Sequence, residues 1–397
     1  MTQLTLIRNS RPANCVYFIG HYAPGSGEYG RVAAPSAVAK IDYVTDCIRR
    51  SGYDVEIISP LRSTYSRGDR ARESTSNNGH PIRYLRSLPW GTRPQKALNA
   101  LHGQVALFHF LMTKIPPGQT IIAYHSLSLG FSVQATRILR RHKLILEAEE
   151  VYSHVPGIGK WRQLQESIVL RTADAYILST ELIRSYTNTR KPSLICYGPY
   201  NDAGGPSPRT NKPYRSTCVY AGIVDEDKGG ALRAVQAAQF LDNSYRVRIL
   251  GFGSDRSITA LKRAIEQSPA RSRITFEGKL VGREFQKVLS ECDIGLCTQS
   301  STANFNGSSF PSKVLTYLAH GLRVVSVPAQ AVQESKLKAA VSFSRDDSPE
   351  AIAQAIRQAR ESSTQDPKRL LRQLDYDFVQ QLKSELQRQP LARRATN

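Results

Sequence analysis

Residues able to do chemistry in this sequence fall into two groups. Some are cations and hydroxyls at the mouths of helices; others are carboxylates and a histidine just past apolar runs. The most specific stretch is Ser308-Ser309-Phe310-Pro311-Ser312-Lys313-Val314-Leu315-Thr316-Tyr317-Leu318-Ala319-His320-Gly321. Pro311 suits a first helical turn, Ser309 or Ser312 can satisfy free amides there, and Gly321 closes the helix. Lys313 in that first turn opposes the helix dipole, so it is tolerated best where an anion binds. A second stretch, Tyr220-Ala221-Gly222-Ile223-Val224-Asp225-Glu226-Asp227-Lys228-Gly229-Gly230, ends a strand at Gly222 and brings Lys228 to the mouth of the next helix. A cation beside a helix N-terminus is well placed for a phosphate. In Leu250-Gly251-Phe252-Gly253 the glycines just past a strand let a ligand or another backbone come close. An ordinary tight turn reads equally well.

The N-terminal half offers acid–base groups instead. Tyr124-His125-Ser126 follows one apolar run, and Glu147-Ala148-Glu149-Glu150-Val151-Tyr152 follows the next. His125 reads equally as a satisfied histidine at a strand end, whereas three glutamates clustered at such an end point to function. Gly25-Ser26-Gly27-Glu28-Tyr29-Gly30 spells the dinucleotide pattern GxGxxG. However, His21 to Pro24 separate it from its strand, and Asp54 and Glu56 begin the next strand rather than end it. A flexible glycine-rich loop facing a cleft, with Gly25, Gly27 and Tyr29 toward an acceptor, is the better reading.

These groups need a scaffold, and the apolar pattern supplies one. Runs such as Cys15–Ile19, Asp54–Ile58, Thr120–Tyr124, Leu144–Leu146 and Ala175–Leu178 alternate with helical stretches at Ala33–Arg50, Lys96–Leu111, Leu129–Arg141 and Trp161–Arg171. The pattern restarts with Cys218–Ala221, Val247–Leu250, Ile274–Phe276, Ile294–Leu296 and Val324–Val327, again separated by helices, one of them Pro311–Ala319. Such alternation implies βαβ units and parallel sheets. Arg62 to Asn78, rich in Arg and Ser, reads as a long surface loop. Glycines and prolines crowd between Gly198 and Pro213, as in an interdomain linker. The expected division is 1–200, 201–375 and a tail, 376–397.

Composition narrows the class. A chain of 397 residues exceeds what one core usually serves. Against 33 acidic residues stand 54 Lys and Arg, a net charge of +21 that attracts polyanions. No nucleic-acid-binding module accompanies that charge, so no specific nucleic-acid partner is expected. No apolar run approaches the length of a spanning helix, and Met1 to Asn14 has no apolar signal core, so a cytoplasmic protein is expected. Anionic membrane is a natural partner for the charge, with Arg49, Arg50, Arg62, Arg67, Arg70 and Arg72 beside Tyr65 and Trp90 as the candidate surface. Six scattered cysteines without a CxxC pair read as small buried hydrophobes.

The Pro311 segment, the Lys228 loop and the Phe276-Glu277-Gly278 strand end together resemble the C-terminal domain of retaining GT-B glycosyltransferases. The nearest likeness is to glycosyltransferase family 4 and its bacterial capsule and exopolysaccharide branches. The resemblance spans the chain and is specific from about Val219 to Val327. It implies an α/β fold of two Rossmann-like domains facing a cleft, with a C-terminal helix near Phe378 to Leu386 returning to the first domain.

The resemblance further implies transfer of a hexosyl group, with retention, from a nucleoside diphosphate sugar (UDP- or GDP-linked) to a saccharide or lipid-linked acceptor, without a metal. Lys228 and Lys313 would meet the diphosphate. Donor contacts would also come from Gly222, Gly251, Gly253, Gly278, Leu280, Ser308, Ser309, Phe310, Ser312 and Thr316. His125, Glu149 and Glu150 would serve catalysis. An Arg expected after Gly222 is replaced by Ile223, and the two family glutamates fall on Ser308 and Thr316. Two alternatives stay open: a sugar-nucleotide-binding or scaffold protein without turnover, for which the missing glutamates are the main argument, and a GT-B-fold epimerase or phosphorylase.

Overall fold

The structure, a computed structural model, describes residues 14–25, 27–65, 68–88, 92–154, 157–201, 216–226, 229–300, 309–361 and 366–388. The chain divides into two compact units. One takes the residues up to Leu178, Ile183–Pro199 and those from Asp377 onward; the other takes Ser179–Leu182 and Tyr200–Tyr376.

The strands of the first unit are β1 (Cys15–Ile19), β2 (Asp54–Ser59), β3 (Arg72–Thr75), β4 (Pro81–Tyr84), β5 (Thr120–Tyr124), β6 (Lys143–Ala148), β7 (Ala175–Leu178) and β8 (Ser193–Ile195). They lie in the order β3-β4-β2-β1-β5-β6-β7-β8, parallel except where β3 pairs antiparallel with β4. The segment expected to be a loop thus holds a strand. Its ladder pairs Glu73 with Arg83 across the two strands, and Arg83 bonds both Glu73 and Glu56. A polar edge strand of this kind carries no apolar alternation to betray it.

Helices α1 (Pro35–Arg50), α2 (Arg93–Lys114), α3 (Gly130–Arg140) and α4 (Lys160–Thr172) cover this sheet. A capping box between Thr92 and Gln95 starts α2. One buried cluster joins Leu107 and Leu111 of α2, Val133 of α3 and Val169 of α4 to Ile121, Ala123, Leu144 and Leu146 of the sheet. Side chains alternate along a strand. The intervening residues of β6 therefore project to the opposite face, where Glu147 meets Lys40 of α1 and Lys143 meets Glu385.

The second unit is a six-stranded parallel sheet ordered β11-β10-β9-β12-β13-β14. Its strands are β9 (Ser216–Val224), β10 (Tyr245–Gly253), β11 (Ile274–Gly278), β12 (Ile294–Cys297), β13 (Arg323–Ser326) and β14 (Val341–Phe343). The helices are α5 (Gly230–Ala238), α6 (Asp255–Gln267), α7 (Gly282–Ser290), α8 (Lys313–Ala319), α9 (Gln330–Gln333) and α10 (Pro349–Glu361). Helix α11 (Pro367–Gln387) begins in this unit and ends in the other, where Phe378 stacks on Tyr43 and Val379 accepts a hydrogen bond from Ser51. Alanines at 231, 234, 237 and 238 of α5 and at 351, 353, 355 and 359 of α10 let these helices lie close over the sheet.

In each sheet the strand order reverses at one point, between β1 and β5 and between β9 and β12. Ligands of such sheets bind beyond the carboxyl ends of the strands at that reversal. All five cysteines placed in or beside the elements after Cys15 are buried as free thiols, and Cys15 is half-buried.

Candidate active site

In the second unit the reversal point is built around Lys313. Helix α8 starts at Lys313, two residues later than the sequence suggests, with Ser312 as its exposed N-cap. Four residues on, and so on the same helix face, Tyr317 is fully buried. Its hydroxyl accepts from the Ala221 amide at 2.8 Å and donates to the Leu296 carbonyl at 3.4 Å, while its ring lies against Gly295. Tyr317 thereby fixes α8 to β9 and β12, and Lys313 is carried over the end of β9. There its Nζ lies 3.4 Å from the Tyr220 hydroxyl and 4.6 Å from the centre of that ring. A Cβ on Gly222 would come within 2.3 Å of the Lys313 Cε, so the glycine is what lets the lysine pass.

The other groups that the sequence singled out lie at several places in this unit. Gly229, with φ +61°, caps α5, and Gly230 lies against the Tyr220 ring, which a Cβ would meet at 2.8 Å. Thr316 turns its hydroxyl onto the Ser312 carbonyl at 3.3 Å. Phe310 is buried, and Ser309 and Leu280 are half-buried. Gly278 ends β11 with φ +71°. Gly251 and Gly253 remain inside β10, and the backbone they admit is that of β9. A Cβ at either would fall about 2 Å from the Gly222 or the Val224 carbonyl oxygen. Burial pushes the neighbouring Cys297 thiol up to about 12, so it stays protonated beside Lys313. Lys228 and Ser308 lie outside the described residues.

In the first unit the reversal point gathers the ends of β1, β5 and β6. His125 is buried, with Nε2 at 2.8 Å from Glu166 Oε1. Glu166 also accepts from the amides of Tyr152 and Ser153, both at 2.7 Å. Burial works to raise its pKa, but the His125 contact and these amides outweigh it and hold the carboxyl below the usual range. This makes Glu166 the hub of a structural tie that joins His125, just past β5, to α4, with His125 Nδ1 making no hydrogen bond.

The glutamates separate by exposure. Glu147 is buried; burial, then the charge of Glu149, push its pKa well above the ordinary value, so it is held as the acid. Glu149 keeps 30% of its side chain exposed and meets Lys40 Nζ at 2.9 Å. Burial opposes the Lys40 charge, but Cys196, Glu149 and Glu147 raise its pKa further, and the ammonium also donates to the Cys196 carbonyl. Glu150 is half-buried. The result is one carboxyl held as the acid and a second, partly exposed one, both beside a buried ammonium.

The glycine-rich loop is tied down, contrary to its expected flexibility. Gly27, Tyr29 and Gly30 all have left-handed backbone, at φ +69°, +54° and +67°. The Tyr29 carbonyl accepts from Ser63, and the Arg72 guanidinium covers the Tyr29 ring at 4.7 Å. Next to it, Arg31 is wholly buried and donates to the Leu61 and Leu85 carbonyls and to Asp69. Gly25 is exposed with open space around it.

Sequence reasoning missed Lys40, Tyr317 and His21. His21 follows β1, with Nε2 3.5 Å from the Ser128 hydroxyl, and burial together with Arg62 pushes its pKa down to about 4. Its signal was its place directly after a strand; for Lys40 it was a lysine among the apolar positions Val38, Ile41 and Val44 of one helix. Among the described residues no cluster of three His, Cys, Asp or Glu side chains could hold a metal ion.

Known proteins share this fold. Residues 215–362 match the family described as Glycosyl transferases group 1. No curated protein sequence matches the chain. Among solved structures, sucrose-phosphate synthase from Thermosynechococcus elongatus aligns with a TM-score of 0.67 at 12% identity, over 94% of this chain and 98% of that one. HepE from Anabaena, solved in complex with UDP, aligns at 0.66 and 10% identity, over 94% and 99%. A UDP-forming alpha,alpha-trehalose-phosphate synthase from Burkholderia xenovorans aligns at 0.63 and 10%, over 96% and 100%. The fold is thus that of GT-B glycosyltransferases across nearly the whole chain. The second unit carries a region that matches the glycosyl transferases group 1 family, on a chain that shares the fold of these enzymes.

Proposed function

We propose that the chain transfers a hexosyl group, with retention of configuration, from a nucleoside diphosphate sugar to a saccharide acceptor. The observation that carries this reading is the Lys313 ammonium, held over the bare end of β9 by Tyr317 and Gly222. A fixed cation there offsets the charge that gathers on a leaving diphosphate, with no reorganisation at the moment of reaction. Lys228, just before α5, is assigned the same task. Neighbours of the fold solved with UDP favour a uridine donor over a guanosine one. With two lysines supplying the charge, no divalent metal is needed.

In this reading Glu149 is the outward carboxylate that receives a proton from the acceptor hydroxyl or steadies oxocarbenium charge, with Glu150 beside it. Lys40 fixes its orientation. His125 is a positioning residue, and His21, kept neutral, is the half-buried imidazole at this edge. The departures at Ser308 and Thr316 leave the ribose to a single hydroxyl, and Thr316 already spends its own on Ser312. That observation favours a second reading, a protein that binds sugar nucleotides without turning them over. The acceptor, in our reading, is carried by or close to an anionic membrane.

One experiment tests the donor half. Lys313→Ala and Lys228→Ala should each weaken nucleotide-sugar binding by about 1.5–3 kcal/mol, the worth of a charge-assisted hydrogen bond. Calorimetry against UDP-, GDP- and ADP-sugars, repeated with EDTA, reads both points. Binding unchanged in both variants, or strictly dependent on metal, overturns the assignment. Sugar transfer measured in the same panel separates turnover from binding alone.

A further inference from the structure

We infer that the outer face of helices α2, α3 and α4 is a docking surface for an anionic lipid bilayer. The three helices pack side by side in that order, α2 on α3 and α3 on α4, with their inner faces in the sheet's core. Their outer faces are apolar where a solvated helix should be polar. On α2, Leu98, Leu101 and Val105 are exposed at helical spacing. On α3, Phe131 is 68% exposed, and Ile138 and Leu139, two turns on, are exposed as well. On α4, Trp161, Leu164 and Ile168 repeat the spacing of α2, with Trp161 77% exposed. Nine of the sixteen large hydrophobics exposed among the described residues therefore sit on three adjacent helices. Scattered exposure needs no explanation, but a contiguous patch marks an interaction site.

Charge identifies the occupant. The sequences of these helices contain eight Lys and Arg, of which Arg137 is paired with Asp174, and a single acidic residue, Glu166, which is buried on His125. No carboxylate on them faces outward. Lys160, Arg162 and Arg171 are exposed on α4, between and beside its apolar positions. Apolar side chains flanked by cations, with an exposed Trp and Phe, match the boundary between anionic headgroups and acyl chains. A second copy of the chain would set cation against cation, and nucleic acid offers no apolar phase to receive nine aliphatic and aromatic groups.

The cations singled out from sequence alone are less suited. Arg49 and Arg50 are paired with Asp46, and Arg72 with Asp69, so much of their charge is answered within the protein. Arg67 and Trp90 lie outside the described residues. The inference rests on the membrane part of the functional reading and not on the transfer reaction.

The test is co-sedimentation of the full chain with phosphatidylcholine vesicles carrying a rising fraction of phosphatidylglycerol. Wild-type protein should pellet increasingly with phosphatidylglycerol. The variant Phe131→Ser/Trp161→Ser/Ile168→Ser, altered only at exposed positions, should lose about tenfold or more in apparent affinity, corresponding to about 1.4 kcal/mol or more. Arg49→Ser/Arg72→Ser should bind like wild type. UDP binding by each variant, read calorimetrically, shows that the fold and the donor site are intact, so a failure here leaves the donor reading untouched. Wild-type protein that ignores anionic vesicles, or a triple variant that pellets as wild type does, overturns the inference. So does a triple variant whose only change is a shift from dimer to monomer in analytical ultracentrifugation, which would make the patch a contact between copies.

Discussion

The two units share a plan and differ in what they bury. The first unit places ionised or ionisable side chains in its interior: Lys40 with Glu147 and Glu149, Arg31 with Asp69, Lys143 with Glu385, His125 with Glu166. At its reversal point the second unit uses glycines, backbone carbonyls and two tyrosine hydroxyls, and leaves a single described lysine to carry charge. The contrast fits the division of labour proposed above. A group that must trade protons needs a tuned environment, whereas a diphosphate needs backbone room and a fixed cation.

Three measurements would break or sharpen this comparison. The largest effect belongs to Lys40→Met, which strips the cation from a buried ion cluster. Removing one partner of such a pair costs about 3–5 kcal/mol, read as a lowered urea midpoint. Glu147→Gln, in contrast, should cost little, because Glu147 is already held as the acid. If Lys40→Met is as mild as Glu147→Gln, the first unit's buried charge does not organise it.

Next comes the pH dependence of His142, buried behind β6, which burial and Arg140 push down to about 4. The folded pKa lies below the ordinary 6.5, so the unfolded chain takes up the proton first. Stability is therefore complete above pH 6.5 and is lost as pH falls toward 4, by about 3 kcal/mol for this group. His142→Phe should flatten that loss in denaturation curves between the two pH values; an unchanged slope would remove His142 from the account. The smallest effect is expected from Gly251→Ala in the second unit. Its methyl would strike the Gly222 carbonyl, and overpacking of this kind costs about 1–3 kcal/mol. Donor affinity should fall with it, because Gly222 underlies Lys313. Stability lost without any change in donor affinity would separate β9 from the donor site.

Much of this was legible in the sequence. The strand–helix alternation of both halves follows from apolar periodicity, and Lys313 stood out because its place in a first helical turn needs a reason. What stayed hidden depends on neighbours distant in sequence. Lys40 matters only because Cys196 and Glu149 come to it, Tyr317 because the Ala221 amide does, and Arg31 because Leu61, Asp69 and Leu85 close around it. The hairpin of β3 and β4 escaped because arginine–glutamate pairs, not apolar alternation, hold its polar face.

Helix α11 has a consequence for the order in which the chain is made. On the ribosome, domains tend to fold as they emerge, N-terminal first. Here the first unit is finished last, since Phe378 and Glu385 leave the tunnel only after all of the second unit has been synthesised. Until then Lys143 and Tyr43 have no partners from α11, while Tyr200–Tyr376 is already complete enough to collapse on its own sheet. Translation therefore favours an inverted sequence of maturation, in which the second unit is set before the unit synthesised ahead of it has received its closing strap.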